Sequence, residues 1–169
     1  MRILFLLFPD QGNARELRME RLAAPYYLFK DLRADVVLAS PLGGSPMASI
    51  GRSISADSKV ERFNADRSAR EELADTIGFH QVIVDDFDAA YCLGITGTIW
   101  HARSTETLIG QFLHSAKPVA IIPGRELDLA QFGAGAGLLI VGNGGETSLL
   151  AARTLLYALR SNDGERTEP

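Results

Sequence analysis

Residues 117 to 124, KPVAIIPG, constrain the fold more than any other stretch: four apolar residues held between two prolines and closed by a glycine. Such a run reads as a buried parallel strand followed by a sharp turn. In a doubly wound α/β sheet, ligands and catalytic groups sit just past the carboxyl ends of the strands, so chemistry is expected in the turn after this one. That turn offers proline, glycine and arginine. None is a nucleophile, and Pro123 lacks a backbone N–H, which weighs against covalent catalysis at this spot.

The rest of the chain alternates in the same way. RILFLLF, residues 2 to 8, is a continuous apolar run that stops at Pro9 and predicts a central buried strand. Leu22, Tyr26 and Phe29 then recur at helical spacing, with Pro25 starting or kinking the helix. ADVVLAS, residues 34 to 40, predicts a short second strand ending in Pro41 and a Gly-Gly pair. From Ser45 to Lys59, small and polar residues without periodicity predict a long surface loop.

DRSAREELADT, residues 66 to 76, predicts a short helix with an aspartate at its start. A third core strand is expected from Asp88 to Leu93, with Gly94 opening the loop GITGTIW. Ser104 is placed to cap the next helix, whose buried stripe is Leu108, Ile109, Phe112 and Leu113. After KPVAIIP come a helical turn or two at GRELDLAQF and a fifth strand at GLLIV, residues 137 to 141. The closing helix, 147 to 160, carries Leu149, Ala152, Leu156 and Leu159 on one side, and residues 161 to 169 read as a frayed, flexible tail. The expected architecture is one domain over residues 1 to 160, a three-layer α/β sandwich around a mostly parallel five-stranded sheet with right-handed crossovers.

Composition agrees with one domain. A 169-residue chain that is 46% hydrophobic buries roughly 70% of its unfolded surface and needs no staples. Basic residues number 17 and acidic ones 21, a net charge of -4 with the two signs interspersed. No footprint for nucleic acid or an acidic membrane surface stands out, so small molecules or proteins are the expected partners. A single cysteine builds no disulfide framework, and ILFLLF is too short for a signal segment or a membrane span. The expected setting is soluble and cytoplasmic.

The loops after strands one, three, four and five share the carboxyl edge: PDQGNAR, GITGTIWHA, PGRE and GNGGET. A dinucleotide site wants G-x-G-x-x-G after the first strand, where only Gly12 is present, so that reading fails. Gly133, Gly135 and Gly137 have glycine spacing but lead into a strand, and read as a flexible turn. GNGGET follows a strand and opens a helix, which makes Gly142, Asn143, Gly144 and Gly145 either an anion cradle or a tight turn with Glu146 or Thr147 near the cap. Arg125 either pairs with Glu126 or faces the pocket as an anion clamp. His101 sits on the presumed rim as a surface histidine or a base, whereas His80 and His114 are expected away from that edge. Cys92, in an apolar strand, reads as a buried thiol. No cofactor and no metal is expected.

Three stretches carry a resemblance: ERLAAPYYLFKDLRADVVLASPLGGSP, FDAAYCLGITGTIW and KPVAIIPG. Together they resemble the ThiJ/PfpI branch of the class I glutamine amidotransferase-like superfamily. Members carry E-x-A-A-P-Y-Y-like helices, V-x-L-A-S-P-x-G-G, D-A-x-x-x-P-G-G-H-G-T-M-W and G-K-P-V-A-A-V-C-H-G. The match runs roughly from Arg2 to Gly124, and GNGGET is similar to the family's T-G-Q-N-P-x-S. The resemblance implies a flavodoxin-like doubly wound sheet, a homodimer, and cysteine-dependent amidase, protease, glyoxalase or deglycase chemistry.

The departures from the pattern fall on the chemistry. Pro123 stands where the family has its nucleophilic cysteine, and Gly124 where it has the neighbouring histidine. Arg21 stands where it has the acidic partner, with Glu20 one place earlier, and Thr96 replaces the loop histidine. A nucleophile elbow needs a strained, positive φ, which a proline held near about -65° cannot adopt, although Gly124 could keep the sharp turn. The expectation is a catalytically degraded protein, a pseudoenzyme, that acts either by binding a small anionic metabolite in a pocket built by Glu20, Arg21, Thr96, Arg125 and residues 142 to 147 or by dimer and interaction contacts, without thiol chemistry. The alternative is a cysteine-independent hydrolase or lyase acting on a small polar substrate, with Glu20 and His101 as an acid/base pair.

Overall fold

The computed structural model describes residues 1–8, 17–44, 48–49, 58–95, 103–123, 137–142 and 147–165. In chain order these form β1 (Arg2–Leu7), β2 (Leu17–Arg18), α1 (Met19–Asp31), β3 (Asp35–Ser40), β4 (Ala48–Ser49), α2 (Ser58–Ala65), α3 (Arg67–Ala74) and β5 (Ile77–Gly78). After two 3₁₀ turns come β6 (Ala89–Ile95), α4 (Arg103–His114), β7 (Val119–Pro123), β8 (Leu139–Val141) and α5 (Thr147–Glu165).

The main sheet has the order β5-β3-β1-β6-β7-β8 with every pair parallel. Counting only β1, β3, β6, β7 and β8, the order is 2-1-3-4-5, the flavodoxin-like doubly wound arrangement. The sheet therefore has six strands where five were expected. The extra one, β5, is two residues paired with Ala39 and Ser40, too short to carry a periodic signal. A separate parallel pair, β2 with β4, lies partly inside the stretch expected to be all loop, and α2 begins at Ser58 within that same stretch. The closing helix also continues to Glu165, so the tail expected from residue 161 begins in helix.

Both faces of the sheet are covered, which is why β1 is apolar at every position from Ile3 to Leu7. On one face Ile3, Phe5, Tyr91, Leu93, Ala120 and Ile122 pack against α1, α2, α3 and α5. On the other, Leu4, Leu6, Phe8, Cys92, Val119 and Ile121 pack against the α4 stripe of Leu108, Ile109, Phe112 and Leu113. That stripe matches the sequence reading. On α5 the stripe is Ala151, Ala152, Leu155, Leu156 and Leu159, while Leu149, expected inside, is only half-buried. Ser104 falls in the first turn of α4, which begins one residue earlier at Arg103.

Helix α1 is held firmly. Tyr26 Oη donates to Glu72 at 2.8 Å, Lys30 Nζ to the other oxygen of the same carboxylate at 2.8 Å, and Tyr27 Oη to Asp66 at 2.9 Å. Asp66 in turn caps α3 by accepting from the Ser68 and Ala69 amides. Pro25 lies inside α1 and does not start it. Its missing N–H leaves the carbonyl of Arg21, four residues earlier, without the usual helical donor. Among the described residues no helix is long and apolar enough to cross a membrane.

Candidate functional site

In a sheet of this order the strand direction of winding reverses between β1 and β6, and the crevice beyond their carboxyl ends is the usual ligand position. The chain is drawn together there. The Phe8 amide donates to the Leu93 carbonyl at 2.9 Å, and the register slips between Leu93 and Ile95 where β6 meets Pro123 of β7. Gly94 makes this possible. Its φ is +83°, and a Cβ at this position would lie 2.2 Å from the Phe8 carbonyl oxygen. Only glycine combines that backbone with that approach.

Because α1 returns antiparallel to β1, its first turn lies over the same edge. Arg21 Nη1 donates to the Pro123 carbonyl oxygen at 3.2 Å. The structure thus brings together two of the positions singled out from the sequence, Arg21 and the buried Pro123, at the end of β7. Glu20 is half-buried in the same first turn. From the other side, Tyr91 Oη donates to the Ser148 carbonyl at 2.6 Å and pins the start of α5 to β6. Neither contact was read from the sequence. Pro25, four residues after Arg21, was the available hint that the first turn of α1 is special; Tyr91 gave none, since a tyrosine in an apolar strand reads simply as core.

The remaining candidates divide plainly. Gly142 follows β8, and its amide donates to the Ile121 carbonyl at 2.9 Å, so this N–H is committed to the sheet. Thr96, His101, Gly124, Arg125, Asn143, Gly144 and Gly145 lie outside the described residues, and with them the Glu20 and His101 pairing. Of the glycine run expected to be a flexible turn, Gly137 is described and is tightly seated. Its amide donates to the Leu113 carbonyl, and a Cβ there would meet Leu113 Cα at 2.8 Å. His80 follows β5 and so stands on the carboxyl side of the sheet, contrary to expectation, though exposed and separated from β6 by β3 and β1. His114 closes α4 at the opposite edge, as expected, against the Gly110 carbonyl.

Cys92 is wholly buried on the α4 face, and burial pushes its thiol well above the ordinary range. Among the described residues no group of three or more His, Cys, Asp or Glu side chains is arranged to hold a metal. The described site is therefore one guanidinium and backbone at the end of β7, with Glu20 adjacent in the same helical turn. It can bind and orient a polar ligand, and it mounts no nucleophile.

No protein-family model matches the chain, and no curated protein matches it. Solved structures do. The chain is similar to the Rapid Encystment Protein 24 kDa of Francisella tularensis, with a TM-score of 0.72 at 13% identity, over 94% of this chain and 99% of that one. It is also similar to glyoxalase III from Candida albicans, with a TM-score of 0.63 at 10% identity, over 94% and 97% of the two chains. At such identities the likeness shows the fold alone, an α/β sandwich, in agreement with the flavodoxin-like strand order of the sheet.

Proposed function

We propose that this protein keeps the ThiJ/PfpI-type scaffold as a pseudoenzyme and works by holding a small anionic ligand at the carboxyl edge of its sheet, without thiol chemistry. The observation that supports this reading is the placement of its one cysteine. Cys92 lies in the middle of β6 with 0% exposure, and desolvation keeps its thiol protonated at neutral pH. Pro123 occupies the position that, by the resemblance, carries the nucleophile, and its ring is incompatible with an elbow's positive φ. The activity named for the Candida neighbour is accordingly not carried over. In the same reading the protein is a cytoplasmic homodimer, and light scattering should give about twice the 18.3 kDa of the single chain.

The test has two arms. Purified protein is assayed for glyoxalase, amidase and peptidase turnover beside Cys92→Ala, and no thiol-dependent turnover is expected. It is then screened by thermal shift against neutral, cationic and anionic metabolites, where a ligand at a hundredfold excess over its Kd adds about 2.7 kcal/mol. Turnover abolished by Cys92→Ala, or no stabilising anionic ligand, overturns the proposal.

A further inference from the structure

Among the described residues, charged side chains that are partly withdrawn from water nearly all have partners. Lys30 and Glu72 pair at 2.8 Å, Asp66 accepts from Tyr27 and two backbone amides, and Lys117 donates to the Val84 carbonyl at 2.8 Å. Among the described residues the exceptions are consecutive. Glu20 has no hydrogen-bond or ion-pair partner, and Arg21 has only the neutral oxygen of Pro123. Both stand in the first turn of α1, over the edge where this fold type places its ligands.

A half-desolvated charge without a counter-charge is a cost to the fold, and a bound ligand of opposite sign offsets it. The bond to Pro123 engages a single Nη1 hydrogen. A guanidinium has five N–H donors in a rigid fork, so the edge formed by Nε and Nη2 remains for a planar, bidentate acceptor. Glu20 adds a negative charge next door, which a ligand with one negative charge tolerates better than one with two.

We infer that Arg21 is the anchor for a small monocarboxylate at the end of β7, with Glu20 setting the selection against dianions. This rests on the proposed ligand-binding role and adds the ligand's chemical class to it. Titrations of acetate, pyruvate, succinate and inorganic phosphate, at constant ionic strength and followed by amide chemical shifts, test it. Acetate and pyruvate should saturate with shifts at residues 19 to 22 and 119 to 122. Arg21→Gln should weaken both by about tenfold or more, the loss of a charge-assisted hydrogen bond. Arg21→Lys, which keeps the charge and loses the fork, should weaken them as well. Glu20→Gln should strengthen succinate and phosphate severalfold, and by more than it strengthens the monocarboxylates.

The inference is overturned if Arg21→Gln binds pyruvate as the parent does, if the parent prefers succinate or phosphate, or if no monocarboxylate saturates. Should Arg21→Gln fail to fold, Arg21→Lys and the Glu20→Gln selectivity decide the matter. If inorganic phosphate saturates the same amides and no carboxylate does, the carboxylate inference falls while the anion-binding role stands, and binding of neutral or cationic compounds alone removes both. Silence from every class removes both.

Discussion

Arg21 and Pro123, 102 positions apart in the chain, are joined by a 3.2 Å hydrogen bond from guanidinium to carbonyl that ties the first turn of α1 to the last residue of β7. These are two of the positions that the sequence reading singled out, and in the folded protein they touch each other. A donated bond from a charged group to a part-buried carbonyl is worth about 1 kcal/mol net once partial exposure is allowed for. Arg21→Met, which keeps the aliphatic stem and loses the donor, should lower the unfolding free energy by that amount, seen as a lower urea midpoint with an unchanged slope. A variant as stable as the parent would mean that the bond contributes nothing in water.

Glycine substitutions should sort by what surrounds each Cβ. Gly94→Ala combines a φ of +83° with a 2.2 Å approach to the Phe8 carbonyl, and should cost at least about 2 to 3 kcal/mol, because the backbone itself must shift. Gly44→Ala, at φ +74° with open space around it, should cost only the conformational part, about 1 kcal/mol. Gly110→Ala lies in α4 with nothing within 4 Å, and should stabilise by about 0.5 to 1 kcal/mol. Thermal midpoints of the three variants should rank in that order. A Gly94→Ala protein no less stable than Gly44→Ala would contradict the close packing at the switch point.

That ranking also marks what the sequence could and could not say. The strands β1, β3, β6 and β7 were legible because burial on both faces forces continuous apolar runs, and the α4 stripe because one buried face forces a 3.6-residue period. β5 and the β2–β4 pair were not, since two residues carry no period. The site was half legible. Arg21 and Pro123 stood out by residue type against the family pattern, yet the bond between them depends on the tertiary path of α1. Gly142 looked like part of an anion cradle because glycine spacing is blind to hydrogen-bond commitment, and its amide belongs to Ile121.

Cys92 should behave as core. Its thiol is fully buried and pushed up by desolvation, so modification by DTNB in native buffer should proceed only as fast as the protein opens, and stoichiometrically in urea. Cys92→Ala should cost about 1 kcal/mol, and Cys92→Ser more, because a hydroxyl would be buried in a wholly apolar cluster. Rapid modification of the folded protein would place this sulfur elsewhere than the middle of β6.

The contact between Tyr27 and Asp66 should shape stability at both ends of the pH scale. The Tyr27 hydroxyl, with the Ala69 and Ser68 amides, holds the Asp66 carboxyl below its usual range. A carboxylate lowered in the folded state contributes fully above its unfolded value near about 3.9, and that contribution is lost as pH falls through the lower folded value. Tyr27 is shifted the other way, from 10.0 to about 12, first by burial and then by the Asp66 charge it faces. A group raised in the folded state contributes fully below pH 10, and the contribution disappears as pH rises from 10 through 12. Tyr26, raised by burial and by Glu72, and Tyr91, raised by burial, add to the alkaline loss in the same direction. Tyr27→Phe should therefore cost about 1 kcal/mol at pH 7 and make the alkaline fall shallower without abolishing it. Asp66→Ala removes the cap of α3 and leaves the Tyr27 hydroxyl without its acceptor, so it should cost about 2 kcal/mol at pH 7 and less below pH 4. Urea midpoints measured from pH 3 to pH 12 for the two variants check both limbs, and an alkaline limb as steep in Tyr27→Phe as in the parent would show that Tyr27 titrates free of Asp66.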